Sequence, residues 1–115
     1  MQINIQTHNF TIVEIQGRVI GEDAHVLKTV LEQRIQELDA HPGTPTFIFD
    51  MAAIDTMDSA GLGVLITTST QIRQNGGRIA LVNVNRGIRR LIIRTNLSSL
   101  FDFPKSRADA IAGSF

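Results

Sequence analysis

The sequence predicts an α/β domain built on a mixed sheet, and three observations carry that expectation. Residues 2–7 and 10–16 alternate polar and apolar side chains, as half-buried strands do. Residues 46–50 and 78–84 are almost continuously apolar, as central strands covered on both faces are. Between these runs lie stretches of helical spacing, long enough to carry parallel crossovers.

Taken in order, Ile3 and Ile5 fall on one side of QINIQT, and FTIVEIQ continues with Phe10, Ile12 and Ile15 directed inward. His8-Asn9 joins the two runs as a β-hairpin, and Gly17 closes the second. From residue 22 to residue 40 the period changes: Leu27, Val30, Leu31, Ile35 and Leu38 form one stripe, with Lys28, Glu32, Gln33 and Glu37 on other faces. This is an amphipathic helix, and Pro42-Gly43-Thr44-Pro45 stops it. After the strand TFIFD, residues 51–57 read as a loop, and a second helix begins at Asp58 or Ser59 and runs to about Gln74. Asn75-Gly76-Gly77 ends that helix with residues able to adopt positive φ. Beyond the strand at 78–84, residues 85–94 form a short helix with Ile88, Leu91 and Ile92 as its apolar face. An edge strand is predicted over 100–103, and a last helix over 104–112 with Pro104 in its first turn. No repeat and no long linker divides the chain, so residues 1–115 read as a single domain.

Composition narrows the function. A chain of 115 residues suits one core, and 43% hydrophobic with 19% charged residues is ordinary globular usage. The 11 basic and 11 acidic side chains cancel, which leaves no global field for nucleic acid or an anionic membrane. The absence of cysteine removes disulfides, thiolate metal sites and thiol catalysis, and fits a reducing cytoplasm. No apolar run approaches the ~20 residues that cross a bilayer, and the amino terminus has no signal-peptide pattern. The expectation is a soluble, cytoplasmic protein with no nucleic-acid partner and no direct membrane insertion.

Catalytic and cofactor motifs do not assemble. His8, His25 and His41 are scattered without ligand spacing, so no metal site is expected. Gly61-Leu62-Gly63 looks like half of a dinucleotide fingerprint, but Ile66 stands at the third glycine, and there is no P-loop ending. Ser59 is preceded by Met57-Asp58, without the glycine a nucleophile elbow uses. Asp55 and Asp58 meet no electrophile, base or cofactor site in the pattern. No catalytic residue, no metal and no cofactor are expected, and the chain is not read as an enzyme.

The informative stretch is Asp58-Ser59-Ala60-Gly61-Leu62-Gly63. Asp58 and Ser59 are both good N-caps, whose side-chain oxygen accepts from first-turn amides. The serine also stands where those amides and the helix dipole favour an added anion. Gly61 and Gly63 are poor helix formers; they permit either tight packing on the chain's own sheet or close approach by another protein's backbone. Leu62 reads as a core residue or an exposed apolar anchor, and the anchor is preferred because Val64, Leu65 and Ile66 already supply core. Arg86, Arg90 and Arg94 recur along one helical face with Arg89 beside them, either as solvated surface or as a surface for an acidic partner.

Asp58-Ser59-Ala60-Gly61-Leu62-Gly63-Val64-Leu65, after a strand ending Ile48-Phe49-Asp50, resembles the signature of the STAS domain of sulfate transporters and bacterial anti-sigma factor antagonists. The likeness extends over nearly the whole chain, through Gly17 and Leu27, Asn75-Gly76-Gly77-Arg78-Ile79-Ala80-Leu81-Val82, and Arg86 to Leu97 and Phe101. It implies a single STAS-like domain with a mixed sheet of four to five strands and helices mainly on one face. It further implies a phosphorylation-controlled switch in which the unmodified chain binds an anti-sigma factor that is also a serine kinase, and so frees a sigma factor. Phosphorylation of Ser59 would abolish binding, and a metal-dependent serine phosphatase would restore it. The partner surface implied is Asp58, Ser59, Ala60, Gly61, Leu62 and Gly63, with Asp23. The alternative is a constitutive STAS scaffold subunit of a membrane transport or other regulatory complex. Two departures stand out: Ile20 replaces an acid common in antagonists, with Glu22 and Asp23 nearby, and Asn96 replaces a glycine before Leu97. Asn tolerates the same left-handed geometry.

Overall fold

The computed structural model describes residues 1–7, 10–39 and 46–113. The elements in chain order are β1 (Gln2–Thr7), β2 (Thr11–Val19), α1 (Asp23–Asp39), β3 (Thr46–Asp50), β4 (Ile54–Met57), α2 (Ser59–Gln74), β5 (Arg78–Val82), α3 (Arg86–Arg94) and α4 (Arg107–Ile111). The sheet runs β1-β2-β3-β5, with β4 also paired to β2. β1 is antiparallel to β2, and the other pairings are parallel, so the mixed α/β architecture expected from the pattern is the one observed. The turn expected at His8-Asn9, the helix end at Ala40 and the stop at Pro42-Gly43-Thr44-Pro45 lie outside the described residues.

Side chains divide between the two faces of this sheet by strand parity. Val13, Ile15, Phe47, Phe49, Ile79 and Leu81 face the main core, where Leu27 and Leu31 of α1, Leu65 and Ile72 of α2, and Ile88 and Ile92 of α3 close over them. Ile12, Ile48 and Val82 face the other way, under Ala110 of α4 and with Phe10 beside them. The three residues expected inward are therefore split: Phe10, just before β2, and Ile12 lie on one face, and Ile15 on the other. Arg107 fastens α4 down, with Nη1 at 3.3 Å from both Asp50 Oδ2 and Glu14 Oε1.

Five features differ from the sequence expectation. β2 does not close at Gly17; it passes through that residue at φ +91 and continues to Val19. The expected loop at 51–57 contains β4, whose register against β2 slips between Gly17 and Arg18. That slip leaves Ile54 and Met57 buried around exposed Asp55 and Thr56, which erases the period-two signal. β5 stops at Val82 because Asn83 takes a left-handed φ of +58. Towards the carboxyl end, Ser98–Leu100 form a 3₁₀ turn, and the expected edge strand is reduced to one bridge between Ala80 and Asp102. There the Asp102 amide donates to Ile79 O at 3.0 Å and the Leu81 amide to Asp102 O at 2.9 Å, covering the edge of β5. α4 begins after Pro104, with Ser106 Oγ accepting from the Asp109 amide at 3.1 Å as its N-cap.

Candidate functional site

The parallel pairing of β4 along the end of β2 delivers the chain to the start of α2 directly beside the start of α1. The Asp58 amide donates to Val19 O at 3.2 Å, so the last residue before α2 is pinned to the last residue of β2. Asp58 is extended, at φ −93 and ψ −178, and is the N-cap: its Oδ1 accepts from the Gly61 amide at 3.0 Å. Its Oδ2 accepts from the Gly21 amide at 2.9 Å, across the loop that opens α1. Hydrogen bonds from Gly21 and then Gly61 hold the carboxyl below its ordinary pKa, against a smaller opposing effect of desolvation. Asp23 braces the same loop from within, with Oδ2 accepting from the Ile20 amide at 3.3 Å.

Capping by Asp58 settles which of the two candidates does that work, and it releases the serine. Ser59 is the first residue of α2 and is exposed, and among the described residues its hydroxyl makes no hydrogen bond. Ala60 is exposed next to it. The two glycines have separate reasons. A Cβ on Gly61 would lie 2.8 Å from Met57 Cγ, 2.9 Å from Val19 Cγ1 and 3.1 Å from Val19 O, so Gly61 allows α2 to pack against the β2–β4 layer. A Cβ on Gly63 would meet nothing within 4 Å. That position faces open space.

Leu62 corrects the sequence reading. It is only 2% exposed and belongs to the main core, so it is an internal residue and not a surface anchor. Three of the four residues 62–65 are core, since Val64 and Leu65 are buried as well. Of the residues expected to meet a partner, the structure brings Asp58, Ser59, Ala60, Gly63 and Asp23 to the surface around the two helix starts, and keeps Gly61 and Leu62 inside.

Gly21 was not singled out in the sequence, yet its φ of +58 and its amide make the Asp58 link possible. The available signal was a lone glycine immediately before the acidic start of α1. Glu22, Asp23, Asp55 and Asp58 give this end of the molecule four carboxylates in two short segments. Among the described residues no group of three His, Cys, Asp or Glu side chains is arranged to hold a metal ion. The Ser59 hydroxyl is thus exposed at an anion-favouring helix start flanked by acids.

A family model for the STAS domain matches residues 2–110. The chain belongs to the STAS domain family. Among curated STAS relatives, the anti-sigma F factor antagonist of Paenibacillus polymyxa is 23% identical over 112 residues, covering 96% of this chain and 92% of that one. The phosphorylated form of the Bacillus cell-fate determinant SpoIIAA superposes with a TM-score of 0.73 at 18% identity, covering 99% of this chain and 98% of that one. An anti-sigma factor antagonist domain protein from Planctomyces limnophilus superposes with a TM-score of 0.83 at 12% identity, covering 97% of each chain. Asn96 sits at φ +58 just past α3, the left-handed geometry that asparagine tolerates. No helix among the described residues is long and apolar enough to cross a membrane.

Proposed function

We propose that this STAS protein is an anti-sigma factor antagonist that works as a phosphorylation-controlled partner switch. The observation that carries the reading is the exposed Ser59 hydroxyl, without a hydrogen bond among the described residues at the start of α2, where Asp58 takes the capping role. In the unmodified state, Ser59, Ala60 and the open side of Gly63 form a surface without bulky side chains that an anti-sigma factor can approach closely. Binding withdraws the anti-sigma factor from its sigma factor. The anti-sigma factor is itself the serine kinase, and its product is the form that it releases.

The phosphate acts locally. It brings roughly −1.5 to −2 charges and three acceptor oxygens to a helix start whose dipole tolerates them. The domain therefore stays folded, while an interface that closed over a neutral hydroxyl now has to desolvate a dianion beside Asp58 and Asp55. A metal-dependent serine phosphatase resets the switch by hydrolysis. The chain supplies the acceptor hydroxyl and the docking surface, and its partners supply the chemistry.

The test is incubation of the purified chain with the anti-sigma kinase of the same genome and ATP, followed by mass-spectrometric mapping. One phosphate on Ser59, absent from Ser59→Ala, is the expected result. Ser59→Ala remains competent to bind the kinase and Ser59→Asp loses affinity. An active kinase that leaves Ser59 unmodified overturns the reading, and partner binding indifferent to Ser59→Asp transfers support to a constitutive scaffold.

A further inference from the structure

The nine residues of α3 include four arginines and no acid. Ile88 and Ile92 turn one side of this helix into the core, which leaves Arg86, Arg89, Arg90 and Arg94 all exposed on the other. Among the described residues, none of the four lies within ion-pair distance of a carboxylate, whereas Lys28, Arg34, Arg78 and Arg107 all do. In a chain of 11 basic and 11 acidic residues, four cations outside any ion pair among the described residues thus share one short helix, while Arg18, Arg73 and Lys105 stand singly elsewhere.

Ile93 stands within this patch and is 58% exposed, the most exposed large hydrophobic side chain among the described residues. Helical spacing sets it one turn from Arg89 and Arg90 and next to Arg94. Water solvates arginines well but gains nothing from an isoleucine among them, so covering Ile93 is favourable. The patch is also held in place. The Asn85 Oδ1 caps α3 by accepting from the Ile88 amide at 2.9 Å, while its Nδ2 donates to Ile54 O of β4 at 3.2 Å. The Arg89 guanidinium lies 5.3 Å from the centroid of the Phe103 ring, a cation–π contact that limits its freedom before any partner arrives.

We propose that the exposed face of α3 is a docking surface for a protein segment that carries acidic residues around an apolar patch. Charge complementarity selects the acid, and Ile93 selects a protein over other polyanions. A nucleic-acid backbone offers phosphates without an apolar contact, and the chain has neither tyrosine nor tryptophan to stack on bases. One exposed isoleucine on a helix of nine residues offers too little apolar area to lie in a lipid interface. Arginine with a central apolar residue is instead the composition of protein interfaces.

The test is a titration of the ¹⁵N-labelled full chain, at about 150 mM salt to suppress loose ionic contacts. The probe is a synthetic helical peptide with a leucine ringed by four glutamates, alongside its Glu→Gln and Leu→Ser analogues. Amide shifts confined to residues 86–94 and their neighbours are expected with the first peptide. The chain variants Ile93→Ser and Arg90→Gln/Arg94→Gln each weaken binding by about fivefold or more, a loss of about 1 kcal/mol, with unchanged Tm. Absence of binding, shifts scattered over the chain, indifference to Ile93→Ser, or tighter binding of duplex DNA or phosphatidylglycerol vesicles overturns the proposal.

Discussion

Asp58 and Gly21 are 37 residues apart in sequence and joined by a 2.9 Å hydrogen bond, so one carboxylate ties together the starts of both helices that frame the site. With its other oxygen on the Gly61 amide, that carboxylate fixes the first turn of α2 and leaves Ser59 with no structural task. The accessible hydroxyl is therefore a consequence of how its neighbour is used.

This arrangement makes stability depend on acid in a definite direction. The Asp58 carboxyl is held below its ordinary value of 3.8 in the folded chain. Its contribution is complete above the unfolded-state pKa and is lost as pH falls through the lower folded-state value. Urea unfolding followed from pH 6 downward is expected to show stability declining below about pH 4, with a shallower decline in Asp58→Asn. Identical pH slopes for the two proteins would remove Asp58 from this account.

The two glycines of α2 are expected to respond oppositely to the same substitution. Gly61→Ala forces a methyl into Met57 and Val19 and is expected to destabilise by about 1–3 kcal/mol. Gly63→Ala meets open space and is expected to be neutral or stabilising by up to about 1 kcal/mol. Denaturant unfolding measures both. The same Gly63→Ala chain is expected to bind the anti-sigma kinase more weakly, since its methyl projects into the proposed contact.

Leu62→Ala is expected to cost about 2–5 kcal/mol as a core truncation, because Leu62 is buried. Any effect on partner binding should then vanish when affinities are compared at temperatures where both proteins are fully folded. A residual loss of affinity would return Leu62 to the interface.

At the end of α3, Asn96 at φ +58 tests a conformational requirement without a ligand. Asn96→Gly is expected to change thermal stability little, and Asn96→Val to cost about 1–2 kcal/mol for the left-handed backbone. Equal stabilities would show that this turn relaxes freely.

The sequence was informative where periodicity and capping agree. The strands with continuous apolar runs, the stripe Leu27-Leu31-Ile35, and the helix start at Asp58-Ser59 could all be read because each follows from local spacing. β4 could not, because a register slip breaks its alternation and its partner lies 37 residues earlier at Gly17. Leu62 was misplaced for a related reason: only the packed layer decides how wide the buried stripe of a helix is. Gly61 and Gly63 carry the same side chain and the same local context, so their different roles emerge only when Val19 and Met57 are seen against one of them. The resemblance to STAS domains identified the family, while the physical division of labour within Asp58–Leu65 emerged from tertiary contacts.

The most direct test compares the affinity of the anti-sigma kinase for the unmodified chain and for the chain phosphorylated at Ser59, with the folding of both followed by amide spectra and Tm. The account predicts a loss of affinity of about 100-fold or more, equivalent to roughly 2.7 kcal/mol, with spectral changes confined to the neighbourhood of α2's first turn and Tm nearly unchanged. Equal affinities, or a loss of binding that accompanies unfolding of the domain, would contradict it.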